Sequence, residues 1–167
     1  MTLRKKTQRG FSLIELLIVV AIILIIAAIA IPNLMHARMA AHEASAVESL
    51  KTINTVEISY SAAYPQVGYA PTLAALGGTS PCTPSSANAC LIDSGLASGI
   101  KSGYNFAATG SGGPPASSYY ATAVPVTVNR TGIRSFCSFE DGTIRVQPTG
   151  ASIPSEPACQ ALLPLNQ

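Results

Sequence analysis

The chain has 167 residues, enough for one domain plus a long helix. Only 11% of them are charged while 48% are hydrophobic, under half the usual charge of a soluble domain, which excludes an ordinary solvated globule over the whole length. Four of the ten Lys and Arg are Arg4, Lys5, Lys6 and Arg9; beyond them six basic side chains face eight acidic ones, the balance turns from +2 to −2, and no basic surface for nucleic acid remains.

Residues 11–31, FSLIELLIVVAIILIIAAIAI, carry one charge, Glu15, and one hydroxyl, Ser12. As a helix rising about 1.5 Å per residue they cover roughly 30 Å, the thickness of a bilayer's hydrocarbon core. The basic segment before them stays cytoplasmic by the positive-inside rule, and the rest crosses. Three readings fit this pattern. One is a plain signal anchor, and another is a secretory signal peptide cut near Ala28-Ile29-Ala30. The third is a precursor cut on the cytoplasmic side, before the apolar run. An ordinary signal peptide has an apolar core of about 7–15 residues and no carboxylate.

Glu15 separates these readings. A carboxylate in a spanning helix costs on the order of 2.5–3.5 kcal/mol at the centre and less near an interface. A lone anchor gains nothing in return, but a polymer of such helices does. Cleavage after Gly10 leaves an amine on Phe11, one turn from Glu15. The carboxylate of one subunit can then neutralise the amine of another and fix axial register in an otherwise slippery apolar interface.

The segment RGFSLIELLIVVAI, residues 9–22, resembles the processing and methylation motif of type IV prepilins. The shared features are a basic leader, Gly10 at the cut, Phe11 next, Glu15 four residues on, and an apolar run to Pro32. A looser match continues through residues 27–34, and the resemblance covers about a third of the chain. It implies a prepilin peptidase that cuts between Gly10 and Phe11 and N-methylates Phe11. It also implies a subunit-aligning role for Glu15, with Pro32 part of the assembly element. One departure is Leu24, where many relatives carry glycine, so no Gly lies between Phe11 and Pro32.

Pro32 removes a backbone donor and kinks or opens a helix. Helical patterning resumes at once, and residues 33–64 hold neither Pro nor Gly. The apolar set Ala46, Leu50, Ile53, Val56, Tyr60 and Tyr64 steps by three or four, one face of an amphipathic helix that supports a core. Glu48, Lys51 and Ser59 lie opposite, and Arg38 and Glu43 read as solvated or intersubunit charges. His36 and His42 are six apart, not the four that a helical metal pair prefers.

Tyr64-Pro65 ends the helix. Residues 65–100 are rich in Pro and Gly, with a short helix expected over 91–98. Strands are expected at 104–109, 118–128, 133–139 and 143–147, an antiparallel meander with a loop at 110–115. Glu140-Asp141-Gly142 supplies a hairpin turn, and Arg130-Thr131-Gly132 the turn before it. Pro125 demotes the second strand to an edge or forces a bulge.

All four cysteines lie beyond residue 80 and none forms a Cys-x-x-Cys pair, so zinc and redox readings are poor and export with disulfides is favoured. Four cysteines allow three pairings. Cys82 and Cys90 bracket a short low-complexity stretch, and Cys137 with Cys159 would tie the tail to the sheet, so Cys82–Cys90 and Cys137–Cys159 are the favoured set. A C-terminal disulfide loop also resembles the heads of type IV pilins.

No phosphate loop, Gly-x-Ser-x-Gly or His-Glu-x-x-His is present, so no enzyme, cofactor or metal is expected. Glu140 and Asp141 read as turn residues. A calcium site there, as in the major pseudopilins of type II secretion, is the runner-up, but two acids give few oxygen ligands.

The resemblance implies an α+β fold, a long N-terminal helix with a transmembrane half and an amphipathic half, packed on an antiparallel sheet head in the type IV pilin manner. The chain then divides into a cleaved leader at 1–10, a transmembrane and polymerisation helix at 11–32, a helical spine at 33–64 and a head at 65–167. The implied function is a structural subunit of a type IV pilus. Its partners would be other subunits in a homopolymer, the prepilin peptidase, the inner-membrane assembly machinery and the membrane itself. The alternatives are a pseudopilin of a type II secretion system and an uncut membrane-anchored binding module.

Overall fold

A computed structural model describes residues 11–165. The basic leader and Gly10 lie outside the described residues. The chain forms two compact units, one ending at Ala37 and the other beginning at Arg38. Helix α1, Leu13–Ala63, contributes to both.

In the first unit α1 is apolar on every face. Its Leu, Ile and Val side chains from Leu13 to Ile31 are each 46–81% exposed. Helical structure continues through Pro32, which offers no N–H to the carbonyl four residues back.

In the second unit α1 becomes one-sided. Ala46, Leu50, Ile53 and Tyr60 are fully buried, with Val56 and Tyr64 packed at the margin, while Glu48, Lys51 and Ser59 face outward. The chain then runs through α2 (Leu73–Leu76), α3 (Ser94–Ala97), β1 (Ile100–Lys101), β2 (Tyr104–Ser111), β3 (Ser118–Pro125), β4 (Ser135–Phe139), β5 (Arg145–Gln147) and α4 (Glu156–Gln160). The five strands form one antiparallel sheet in sequence order.

Side-chain alternation sorts this sheet into two faces. Tyr104, Phe106 and Ala108 of β2, Tyr119, Ala121 and Ala123 of β3, and Phe136 of β4 share a core with the α1 stripe. Cys137 and Phe139 of β4 point the other way, against Ile153 and Cys159. Strand β4 is therefore buried along its whole length. Two disulfides are present, Cys82–Cys90 and Cys137–Cys159, with Cα–Cα distances of 6.1 and 6.0 Å. The second joins the sheet to α4.

Three expectations need correction. The second strand is central, not an edge, and Pro125 is its last residue. The ladder from β3 to β4 stops at Ala123, so no donor is required of Pro125 on that side. Glu43 is not a solvated charge but is buried under the β3–β4 connection. The helix expected over 91–98 shrinks to α3, capped by Asp93, whose side chain accepts from Leu96 N. Helix α2, capped by Thr72, and the two-residue β1 carry too short a pattern to be read from periodicity.

Candidate assembly site

The site begins where α1 begins. Ser12 precedes the first helical residue, and its carbonyl accepts from Leu16 N at 3.3 Å. The Ser12 backbone N–H donates to Glu15 Oε2 at 2.9 Å. Ser12-Leu13-Ile14-Glu15 therefore forms one leg of a capping box, in which the fourth residue reaches back to satisfy a donor the helix leaves orphaned. A carboxylate in the first turn also meets the positive end of the helix dipole. Sequence reasoning assigned Glu15 to intersubunit pairing alone; the Ser-x-x-Glu spacing was the signal for this second role.

Phe11 lies ahead of the helix and is 86% exposed. Around Glu15, the fourteen Leu, Ile and Val residues from Leu13 to Ile31 have no cover. Fully burying one such side chain is worth about 1.5–3 kcal/mol, so the exposed half of this surface represents on the order of 10–20 kcal/mol of unrealised burial. A surface of this size needs hydrocarbon or other apolar helices around it. Pro32 sits one residue beyond Ile31, inside the same helix. Phe11, Glu15 and Pro32 thus belong to a single helical element and its immediate start.

The second unit contributes two carboxylates of a different kind, both on α1. Glu43 Oε1 accepts from Ile133 N at 2.9 Å and Arg134 N at 3.1 Å, and its Oε2 meets the Arg134 guanidinium at 2.7 and 2.8 Å. Burial works against its charge, but these bonds outweigh that and hold the carboxyl below its usual range. Glu57 is fully buried without any such partner set. Neither was recognised from sequence, although the series Glu43, Ala46, Leu50, Ile53, Glu57, Tyr60 steps by three and four throughout.

The turn acids are engaged within the turn. Asp141 pairs with Arg145 through both oxygens, at 3.2 and 2.8 Å, and accepts from Thr143 N. Glu140 accepts from Ser118 Oγ. His42 lies against the Thr131 carbonyl, Nδ1 to O 3.0 Å, and His36 is exposed. Among the described residues, no three His, Cys, Asp or Glu side chains converge in a way that could hold a metal ion.

The prokaryotic N-terminal methylation motif matches residues 5–31. The chain is 44% identical over 71 residues to the type IV major pilin protein PilA of Myxococcus xanthus, a match covering 38% of this chain and 32% of that protein. It is 58% identical over 38 residues to the type IV wide pilus major component PilA4 of Thermus thermophilus, covering 23% of this chain and 29% of that one. The chain thus spans about a third of the length of these relatives. No solved structure matches it. The chain thus carries the prokaryotic N-terminal methylation motif and is similar over part of its length to type IV major pilins, and it has an α+β layout with a long apolar helix and an antiparallel five-stranded sheet.

Proposed function

We propose that the chain is a structural subunit of a type IV pilus. It is made as a membrane-inserted precursor with the head outside the cytoplasm. A prepilin peptidase cuts between Gly10 and Phe11 and methylates the new Phe11 amine. The subunit then passes from membrane to filament through the inner-membrane assembly machinery and polymerises with its own kind. The observation that supports this best is the uncovered apolar helix with a single carboxylate, Glu15, one turn from its start.

The physical logic is that of an open, heterologous contact, which generates a helical filament when it does not close. Lipid satisfies the apolar helix before assembly, and neighbouring helices satisfy it afterwards. Because both surroundings are apolar, hydrophobic burial changes little on transfer and does not select register. Glu15 does, since pairing its charge with a Phe11 amine is possible at one axial offset. The proposed division is therefore the leader 1–10, the polymerisation helix 11–32, the spine 33–64 and the head 65–167. The chain works by assembly, and no reaction is assigned to it.

Mass spectrometry of the N-terminal peptide, from protein purified out of its native membrane, tests this reading. A peptide starting at Phe11 with one added methyl group supports it. A chain starting at Met1 makes it an anchored module, and one starting at Ile31 makes it a secreted domain. Long surface filaments lost on deletion separate the pilus from a secretion pseudopilus.

A further inference from the structure

Glu57 lies on the core-facing stripe of α1 with 0% exposure. Its Oε2 accepts from Ala70 N at 2.9 Å. Its Oε1 has no hydrogen-bond partner among the described residues. No Lys, Arg or His there lies within ion-pair distance of it. The titratable groups around it are phenols. Tyr60 is on its own helix and Tyr119 is on β3, and both feel its charge; Tyr69, from the loop, packs against Tyr119 in a tilted pair with ring centroids 4.9 Å apart. Burial pushes Tyr60 and Tyr119 further up, so neither offers a charge.

Ala70 sits at a junction. Its N–H goes to Glu57 and its carbonyl accepts from Gly110 N of β2 at 2.8 Å. Its neighbour Tyr69 donates to the Ala116 carbonyl at 3.1 Å, and Ala116 N returns a bond to Val67 at 2.8 Å. The loop over residues 65–72 is thus laid between α1 and the β2–β3 hairpin, and Glu57 is its tie to the helix.

A lone carboxylate in such a place is expensive, because water is gone and one amide does not replace it. The neutral acid costs far less. Its proton belongs on Oε1, since Oε2 is already an acceptor. Burial raises the carboxyl to about 7, with the Ala70 bond only partly offsetting it.

We propose that Glu57 is a proton-operated latch. While neutral it holds the 65–72 loop between α1 and the β2–β3 hairpin, and its ionisation opens that loop to water. Protonation and loop closure are then coupled in both directions. The head tightens in mildly acidic surroundings and loosens in mildly alkaline ones.

Amide hydrogen exchange on the full processed chain in detergent micelles, from pH 5 to 9 and corrected for intrinsic rates, tests this. Protection at Ala70 and Gly110 should fall with rising pH, by at most roughly 300-fold, the ratio set by about 7 against 4.5. In Glu57→Gln, which keeps an acceptor for Ala70 and cannot ionise, protection should stay level. Parallel profiles in both proteins would overturn the latch. Should Glu57→Gln not fold, the wild-type Glu57 carboxyl carbon shift decides: a midpoint near 7 supports the latch, and one below 5 sinks it.

Discussion

Replacing Glu43 with alanine removes the acceptor for four contacts at once, from Ile133 N, Arg134 N and two guanidinium nitrogens of Arg134. An unsatisfied buried donor costs about 1–3 kcal/mol, and breaking a buried ion pair about 3–5 kcal/mol. Both figures need reduction. The Arg134 side chain is 44% exposed, so its charge regains water when the carboxylate goes. Ile133 is also partly open, which lets water reach its amide. The structure therefore supports a loss of about 2–3 kcal/mol for Glu43→Ala. At about 2–4 °C per kcal/mol for a chain this size, Tm should fall by roughly 5–10 °C. Urea unfolding of the detergent-solubilised chain reads the loss. A double-mutant cycle with Arg134→Ala isolates the pair, for which about 1 kcal/mol of coupling is expected. A Glu43→Ala protein within about 0.5 kcal/mol of wild type would refute the buried-acceptor reasoning, since surface substitutions do no more than that. Additive single mutants would leave the amide bonds intact as the cause but remove the ion pair.

Other substitutions probe other levels of the structure. Changing Cys137 and Cys159 together to serine should cost roughly 3 kcal/mol, and urea unfolding should show it, because the bridge closes a 22-residue separation. Gly132→Ala would place a methyl 2.0 Å from Oη of the fully buried Tyr104, whose hydroxyl donates to the Arg134 carbonyl at 2.8 Å. Overpacking of this kind should cost about 1–3 kcal/mol, and thermal melting without loss of stability would show that the ring can move aside freely. Glu15→Ala should nearly abolish filaments on electron micrographs while head melting stays unchanged; abundant normal filaments would end the register argument.

Much of the head was legible because its signals are local. Asp-Gly at 141–142 puts a positive φ of 69° at Gly142, and β4 and β5 follow on either side. The stripe from Ala46 to Tyr60 reports helix and core together. The N-terminal element was legible because a carboxylate in an apolar run has few physical explanations. What sequence concealed depends on tertiary partners. Glu43 reads as a surface charge until Ile133 and Arg134, some ninety residues away, arrive to bind it. Pro125 reads as a strand breaker until the early end of the β4 ladder relieves its missing donor. Asn54 looks like an interruption of the apolar face, yet it accepts from Tyr119 and Ser138 and donates to the Gly142 carbonyl, joining helix, sheet and turn. Spacing reveals that such positions face inward, but not what meets them there.

The two buried carboxylates on α1 oppose each other in pH, and together they set an optimum. Glu43 has a folded pKa below 4.5. Its contribution is complete above the unfolded value and is lost as pH falls through the folded one. Glu57 has a folded pKa of about 7 against 4.5. The folded chain therefore holds more protons than the unfolded chain between those values, and stability falls as pH rises across them. The full span corresponds to an upper bound of about 3 kcal/mol, lost by pH 7 and constant beyond it. The head should thus be most stable near pH 4.5, unlike a domain whose carboxylates are all paired. Glu57→Gln should remove the alkaline limb and leave a plateau from pH 5 to 8. Glu43→Gln should make the acid limb shallower, since Asp93 and Asp141 are also held below their ordinary values and still contribute to it, and should leave the alkaline limb unchanged. A wild-type urea midpoint that rises steadily from pH 5 to 7 would contradict the assignment of Glu57, because a carboxyl held neutral by the fold gives the opposite slope.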